Sequence, residues 1–396
     1  MPLTRRHFVM PLVALTALAL AFLAVPRVSP WARGDASPAI SDDVYWKMVT
    51  AFSEPSGYFR SDNLLSNETT FQLVIPDLQK ATSADGVYIG VGPEQNFTYI
   101  TALKPRIAFI IDIRRQNMLL HLMYKALIEL SPTREEFLAR LFSRPAPARD
   151  ATNDSADALL DAFLEVEPDP VAFERTRAEI YAHLQHTHGF TLSRADLSGI
   201  DYVFRAFYSA GPEIRYSFGR GAGWQPFPTY RDLMTADDGQ GVQRSYIASE
   251  ELYQALRDME ERNLIIPLVG DFGGPKALRS VARYLDLHHA TVSVFYTSNV
   301  EQYLFRPTDA WQRFYDNVGA MPITGRSTFI RAFFSNSVYN AAPGRVMRIP
   351  DPAPGLAPPP GPRSQTLLNP ISALLGAYAE GHIGSYYDVI ELSAPK

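Results

Sequence analysis

Four short segments carry residue types that can handle a polar small molecule, and they recur along the chain in a regular relation to apolar runs. Gly90-Val91-Gly92-Pro93 follows the run Val87-Tyr88-Ile89, with Glu94 and Gln95 opening the next segment. Asp112 and Ile113 end the run Ile107-Ala108-Phe109-Ile110-Ile111, with Asp112 twenty residues beyond Gly92. Gly270-Asp271-Phe272 ends the run Leu264 to Val269, and Tyr296, Asn299 and Glu301 lie at or just past the end of the run Thr291 to Tyr296. Paired glycines let backbone approach a ligand closely, and a helix opening at Glu94 presents unpaired N–H groups. A carboxylate at Asp112 can accept two hydrogen bonds from a vicinal diol. Asp271 and Phe272 can offer an acceptor and an apolar face to a flat ring. A carboxylate at Glu301 can take a proton from a nucleophile.

Each of these residues also has a plain reading. The glycines can serve only a tight turn. Asp112 can pair with Arg114 or Arg115, or cap a helix beginning near Asn117. Asp271 can be a turn carboxylate before Gly273-Gly274, and Ser298 and Asn299 can cap a helix that contains Glu301.

The elements that must position these groups follow from periodicity. Unbroken apolar runs bounded by Gly or Pro read as strands covered on both faces, the signature of a parallel sheet. Strands are expected at 87–89, 106–113, 264–269, 291–296, 327–334 and 386–392, with helices at 41–52, 68–79, 94–103, 275–287, 311–318 and 370–380 between or beside them. Residues 117–263 read as a helical insertion. Strands alternating with helices imply right-handed crossovers, and so an α/β fold with a doubly wound, mostly parallel sheet. In such sheets ligands bind where strands end and connections diverge.

The order Gly90-Val91-Gly92, then Asp112, then Gly270-Asp271-Phe272, resembles the class I S-adenosylmethionine-dependent methyltransferase, a Rossmann-like fold, over residues 87–113 and 264–301. The segments Val91-Gly92-Pro93-Glu94-Gln95-Asn96-Phe97 and Asp112-Ile113-Arg114-Arg115-Gln116-Asn117 are also similar to an uncharacterised bacterial family of hypothetical proteins. The first resemblance implies S-adenosylmethionine as cofactor. It puts Gly90 and Gly92 beneath its methionine part, Asp112 at the ribose and Asp271, with Phe272, at the adenine, and Pro93, Glu94, Gln95 and Ile113 complete the cofactor-binding set. Tyr296, Asn299 and Glu301 would then lie near the transferring methyl group. Gln95 stands where a dinucleotide fingerprint has its third glycine, which counts against NAD. A charge on Glu94 would repel a pyrophosphate but tolerate a sulfonium.

Two further clusters are ambiguous. His183, His186 and His188 suggest a metal site, but no acidic residue neighbours them in sequence, and a solvated helix C-terminus accounts for them; no metal is expected. The polar segment from Ser53 to Asn63 can fold over a ligand mouth or simply form a capped surface loop. There is no Gly-x-Ser-x-Gly elbow and no phosphate-loop lysine motif.

The 396 residues include 46% hydrophobic and 20% charged residues, and the net charge of −5 leaves no basic excess to release counterions from nucleic acid. The expected partner is a small-molecule ligand. Cysteine is absent, which excludes disulfides and thiolate chemistry. Thr4-Arg5-Arg6-His7-Phe8-Val9 and the uncharged run from Phe8 to Val25 resemble a twin-arginine export signal or a membrane anchor. The expected organisation is a signal or anchor at 1–25, a linker at 26–40, the first part of the Rossmann-like domain at 41–116, the helical insertion, and the second part at 264–396 with a Pro-rich loop at 349–363. The body is expected outside the cytoplasm, exported or held at the inner membrane by residues 8–25, with the cytoplasmic side as the alternative. S-adenosylmethionine is a cytoplasmic metabolite, so the two expectations are reconciled by an inverted anchor that leaves the domain cytoplasmic, by export of the folded domain with its ligand bound, or by a fold retained without its chemistry. A non-catalytic α/β protein binding an unknown ligand or partner is therefore the competing expectation.

Overall fold

Val87–Gly90, Ile107–Asp112, Ile265–Val269 and most of Val292–Ser298 are buried at every position, as unbroken apolar runs require when helices cover both sides of a sheet. A computed structural model describes residues 38–82, 85–146, 154–218, 227–305, 309–334 and 364–393. The candidate signal or anchor, nearly all of the linker, and the Pro-rich loop 349–363 lie outside the described residues.

In chain order, α1 (Asp42–Phe52) and α2 (Ile75–Ala81) precede β1 (Val87–Gly90), α3 (Gln95–Leu103) and β2 (Ile107–Asp112). A helical region follows: α4 (Arg115–Glu129), α5 (Arg134–Phe142), α6 (Ala156–Leu164), α7 (Pro170–Ala182) with a π-helical turn at His183–Thr187, α8 (Arg194–Ala210), α9 (Tyr230–Thr235) and α10 (Glu250–Glu261). Next come β3 (Ile265–Val269), α11 (Ala277–Leu287), β4 (Val292–Ser298), α12 (Val300–Leu304), α13 (Ala310–Gly319) and β5 (Ile323–Phe334). The last elements are β6 (Ser364–Pro370), α14 (Ile371–Ala379) and α15 (Tyr386–Ser393).

The six strands form one sheet in the order β3-β2-β1-β4-β5-β6. The first five are parallel to one another, and β6 runs antiparallel to β5. The chain steps outward from β1 to β2 to β3, then returns to the other side of β1 for β4 and β5. With right-handed crossovers, that reversal puts the connections before and after it on opposite faces. Accordingly α4 packs on β2 and β3 and beside α10, whereas α11 packs against α13 and α14 lies on β5. Buried side chains of the sheet and of the helical region join in one apolar cluster. None of the described helices is long and apolar enough to cross a membrane.

Two local expectations are corrected and one strand is added. Residues 386–392 form the helix α15 rather than a strand: Tyr386, Tyr387, Val389, Ile390 and Ser393 are buried at helical spacing. The Asp388 carboxylate accepts from the N–H of Gly384, and from the N–H and hydroxyl of Ser385, fastening the start of that helix. The helix expected at 68–79 begins only at Ile75, because Pro76 belongs in a first turn and has no N–H for an earlier one. The strand β6 was not expected. It is a sheet-edge strand whose pairing with β5 is specified by the neighbour rather than by its own pattern, and it ends in proline, as edge strands tolerate.

Candidate functional site

The carboxyl ends of β1, β2, β3 and β4 open onto one cavity of about 520 Å³, lined by Gly92, Pro93 and Gln95, by Asp112 and Ile113, by Asp271 and Phe272, and by Tyr296 and Asn299. It lies where the strand order reverses between β1 and β4, the position at which open α/β sheets leave a crevice. Nine of the twelve residues singled out from the sequence are thus brought together. Gly90, Glu94 and Glu301 are not among the lining residues.

The glycine turn is rigid for reasons that differ between its two glycines. A Cβ on Gly90 would strike the Asn96 side chain and the Tyr88 ring, so this glycine serves packing beneath the turn. Gly92 has φ of +80° and nothing within 4 Å of where a Cβ would lie, so here the backbone conformation itself calls for glycine. Asn96 holds the turn from behind. Its amide donates to the carbonyls of Val91 and Pro93 at 3.0 and 2.7 Å, and its Oδ1 accepts from the Tyr88 hydroxyl at 2.8 Å. His121 Nε2 lies 2.9 Å from the Gly92 carbonyl. Burial pushes the His121 pKa down to about 4, so the ring is neutral and this nitrogen donates.

Glu94 faces away from the cavity. It is fully buried near Tyr124, Tyr230 and Tyr246, and neither carboxyl oxygen has a hydrogen-bond partner of good geometry. Burial raises its pKa to about 8, only partly opposed by the N–H groups of Glu94 and Ser66. The negative charge expected at this helix start is therefore absent near neutral pH.

Asp112 lies on the cavity wall, but Arg114 engages both of its oxygens. The guanidinium Nε and Nη2 sit 3.0 Å from Oδ1 and Oδ2, and the Arg114 N–H donates to Oδ1 at 2.9 Å. The same guanidinium donates to the carbonyls of Ser61 and Asp62, which ties the 53–63 segment to the end of β2. Gly57 N–H donates to the Ile113 carbonyl at 2.8 Å, and the Glu54 carboxylate accepts from the N–H groups of Asp271, Lys276 and Ala277 at the entry to α11. Tyr58, Phe59, Arg60 and Asn63 thereby become cavity wall. Asp271 accepts from the Gly273 N–H at 2.9 Å, the arrangement of a turn carboxylate, while still lining the cavity. Phe272 stacks on Phe314 with ring centroids 5.3 Å apart, which fixes its ring.

A polar cluster missed in the sequence occupies another part of the wall. The buried Glu68 carboxyl accepts from the Tyr296 hydroxyl at 2.6 Å, from the Ser298 hydroxyl, and from Gln95 Nε2 at 3.3 Å; Gln95 also donates to the Tyr296 oxygen. Burial raises the Glu68 pKa, and these three donors oppose the rise. Tyr296 is pushed well above its ordinary value by burial and by Glu68, so its phenol stays protonated. Ser298 holds φ of +50°, a conformation uncommon for a side-chain-bearing residue and often found at functional sites. Glu68 lies 27 residues from Gln95 and 228 from Tyr296. No local spacing links them, and the only available signal was a carboxylate within the otherwise uncharged stretch from Leu64 to Ile75.

Glu301 turns away from the cavity into the core. Both oxygens engage the fully buried Arg331, and Tyr315 donates to Oε1 at 2.9 Å. The expectation of a proton-accepting carboxylate beside the ligand does not fit this placement, because the group is 1% exposed and already committed to an ion pair.

Residues 64–348 match the family described as domain of unknown function DUF7790. The chain belongs to that family. The matched span takes in β1 to β5 and the whole helical region, so the sheet reversal and the cavity wall apart from Tyr58, Phe59, Arg60 and Asn63 lie within it. No curated protein matches the chain.

Proposed function

We propose that the cavity binds S-adenosylmethionine or a related nucleoside, and that this DUF7790 domain is methyltransferase-like. One observation carries the reading: the glycine turn after β1, the carboxylate closing β2, the Asp271-Phe272 pair after β3 and the end of β4 share a single cavity at the strand-order reversal. Its volume of about 520 Å³ suits a ligand of nucleoside size. An antiparallel edge strand on an otherwise parallel sheet is also compatible with this class.

In this reading Gly92 and Pro93 pass beneath the amino-acid end of the ligand, and Glu68 takes its ammonium group, gaining the charge partner that burial otherwise denies it. Asp112 and Ile113 face the ribose, with Arg114 holding the carboxylate in place. Asp271 and Phe272 face the base. Tyr296 and Asn299 remain to contact a methyl acceptor, Tyr296 as a hydrogen-bond donor rather than a base. The test is calorimetric titration of the full-length protein with S-adenosylmethionine. Saturable heat that disappears in Asp112→Ala and Glu68→Gln is expected. No heat and no thermal shift at millimolar ligand would remove the proposal.

A second reading, a non-catalytic α/β protein binding an unknown ligand, is favoured by the withdrawal of Glu301 into its ion pair with Arg331. Binding without methyl transfer to any acceptor would select it. For the N-terminal segment we propose export or anchoring with the body outside the cytoplasm, to be tested with a compartment-sensitive reporter fused after Lys396. A signal from the cytoplasm would reverse the assignment.

A further inference from the structure

At the far end of α4 from the cavity, Glu129 meets the histidines that had no acidic neighbour in sequence. The rise per residue of a helix puts Glu129 about 20 Å from Arg115, the residue that follows the cavity-lining Arg114. His183 Nε2 and His188 Nε2 each lie 2.6 Å from Glu129 Oε2. The ligand-capable atoms of these three residues all fall within 4.8 Å of one another.

The local backbone explains the convergence. Side chains five positions apart on an α-helix point about 140° away from one another. The chain between the two histidines is instead a π-helical turn, closed by the His188 N–H donating to the His183 carbonyl at 3.1 Å, and such turns recur at functional sites. His186, within the turn, is exposed and outside the cluster.

The surroundings are arranged as those of a metal ligand set are. His188 Nδ1 lies 2.7 Å from Asp42 Oδ1, and Asn263 Nδ2 donates to the same oxygen at 2.9 Å. A carboxylate on the far nitrogen fixes the tautomer and leaves Nε2 to coordinate. The His188 ring also stacks on Phe190 at 5.0 Å, which locks its plane. The three side chains are 16, 9 and 5% exposed for His183, His188 and Glu129, so the site is sheltered yet reachable. Lys125 holds the other Glu129 oxygen at 2.6 Å. Asp42 and Glu129 supply two carboxylates against the one ammonium of Lys125, a formal deficit of one positive charge when the imidazoles are neutral; burial raises the Glu260 pKa to about 8, so that group adds no charge near neutral pH.

We propose that Glu129, His183 and His188 bind a transition-metal dication of the zinc class, with Asp42 orienting His188. Two imidazoles and one carboxylate suit such an ion and leave a position for water. Ligands about 2.0–2.1 Å from a tetrahedral ion sit about 3.3 Å apart, so entry requires the present contacts to open by about 0.7 Å. The ion would pin the π-helical turn and α4 together and, through Asp42, join them to α1. This site is independent of the nucleoside reading.

The experiment is titration of chelator-stripped, full-length protein with Co²⁺, followed by visible absorption and then displaced with Zn²⁺. One saturating equivalent is expected. Glu129→Gln and His183→Gln should each weaken binding about 100-fold or more, Asp42→Asn about 10–100-fold, and His186→Gln not at all. Absence of a saturable band up to about 1 mM Co²⁺ would overturn the proposal and leave a cluster held by shared protons alone. Equal loss in His186→Gln and His188→Gln would overturn it as well. Should the ligand variants fail to fold, the wild-type titration and Asp42→Asn still decide.

Discussion

Replacing Glu94 with Gln offers the sharpest check of the packing beneath the glycine turn. The carboxyl group is fully buried, and its pKa rises from 4.5 to about 8 because burial disfavours the charged form. Between those values the folded chain holds one proton more than the unfolded chain. Stability therefore falls as pH rises through the window, by about 1.4 kcal/mol per pH unit, and is fully present only below pH 4.5. The accumulated penalty is about 3 kcal/mol at pH 7 and about 5 kcal/mol above pH 8. Gln is close in shape to the protonated acid and does not titrate, so Glu94→Gln should remove this slope. It brings two N–H donors that need acceptors, which can cost about 1–3 kcal/mol at every pH. The difference in slope, rather than the absolute stability, is the diagnostic quantity. Urea denaturation of both proteins from pH 5 to pH 9 measures it, and titrations common to both, such as those of His188 and Glu260, cancel in the difference. Parallel stability curves would refute the claim that this carboxyl is buried and neutral.

His121 should act in the opposite sense. Its pKa falls from 6.5 to about 4, so its stabilising contribution is present above pH 6.5 and lost as pH drops toward 4, about 3 kcal/mol in all; His121→Gln should flatten that acid limb in a urea denaturation series extended down to about pH 4. Arg331→Met should destabilise the protein by about 3–5 kcal/mol, because it strands the buried Glu301 charge, and the double variant with Glu301→Gln should recover much of that loss. Neither change should alter ligand affinity, since the pair faces the core; a parallel loss in calorimetric titration would place Glu301 back at the cavity. Gly92→Ala should cost about 1–2 kcal/mol of backbone strain at a positive φ and should also weaken ligand binding. Unchanged thermal stability would contradict the left-handed turn.

The strands around the cavity were legible because their signal is local. A strand covered on both faces must be apolar at consecutive positions, and glycine, proline and acidic residues mark where it stops. That physics alone puts Gly92, Asp112, Asp271 and Tyr296 at or near strand ends. It misread 386–392, where aromatic and β-branched residues suit a strand but Ser385 and Asp388 fasten a helix, and it could not see β6, whose partner lies far away in sequence.

Charge pairing is legible only where it is local, as for Asp112 with Arg114 two residues on. Glu301, Glu94 and Glu68 are all carboxylates near apolar runs, and nothing in their spacing separates them. Tertiary packing decided that the first is paired with Arg331, the second left neutral among tyrosines and the third set in the cavity wall. It also brought Glu129 to His183 and His188 across 54 and 59 residues. Backbone pattern follows from each residue and its near neighbours, whereas the state of an ionisable group depends on burial and on partners brought from far along the chain.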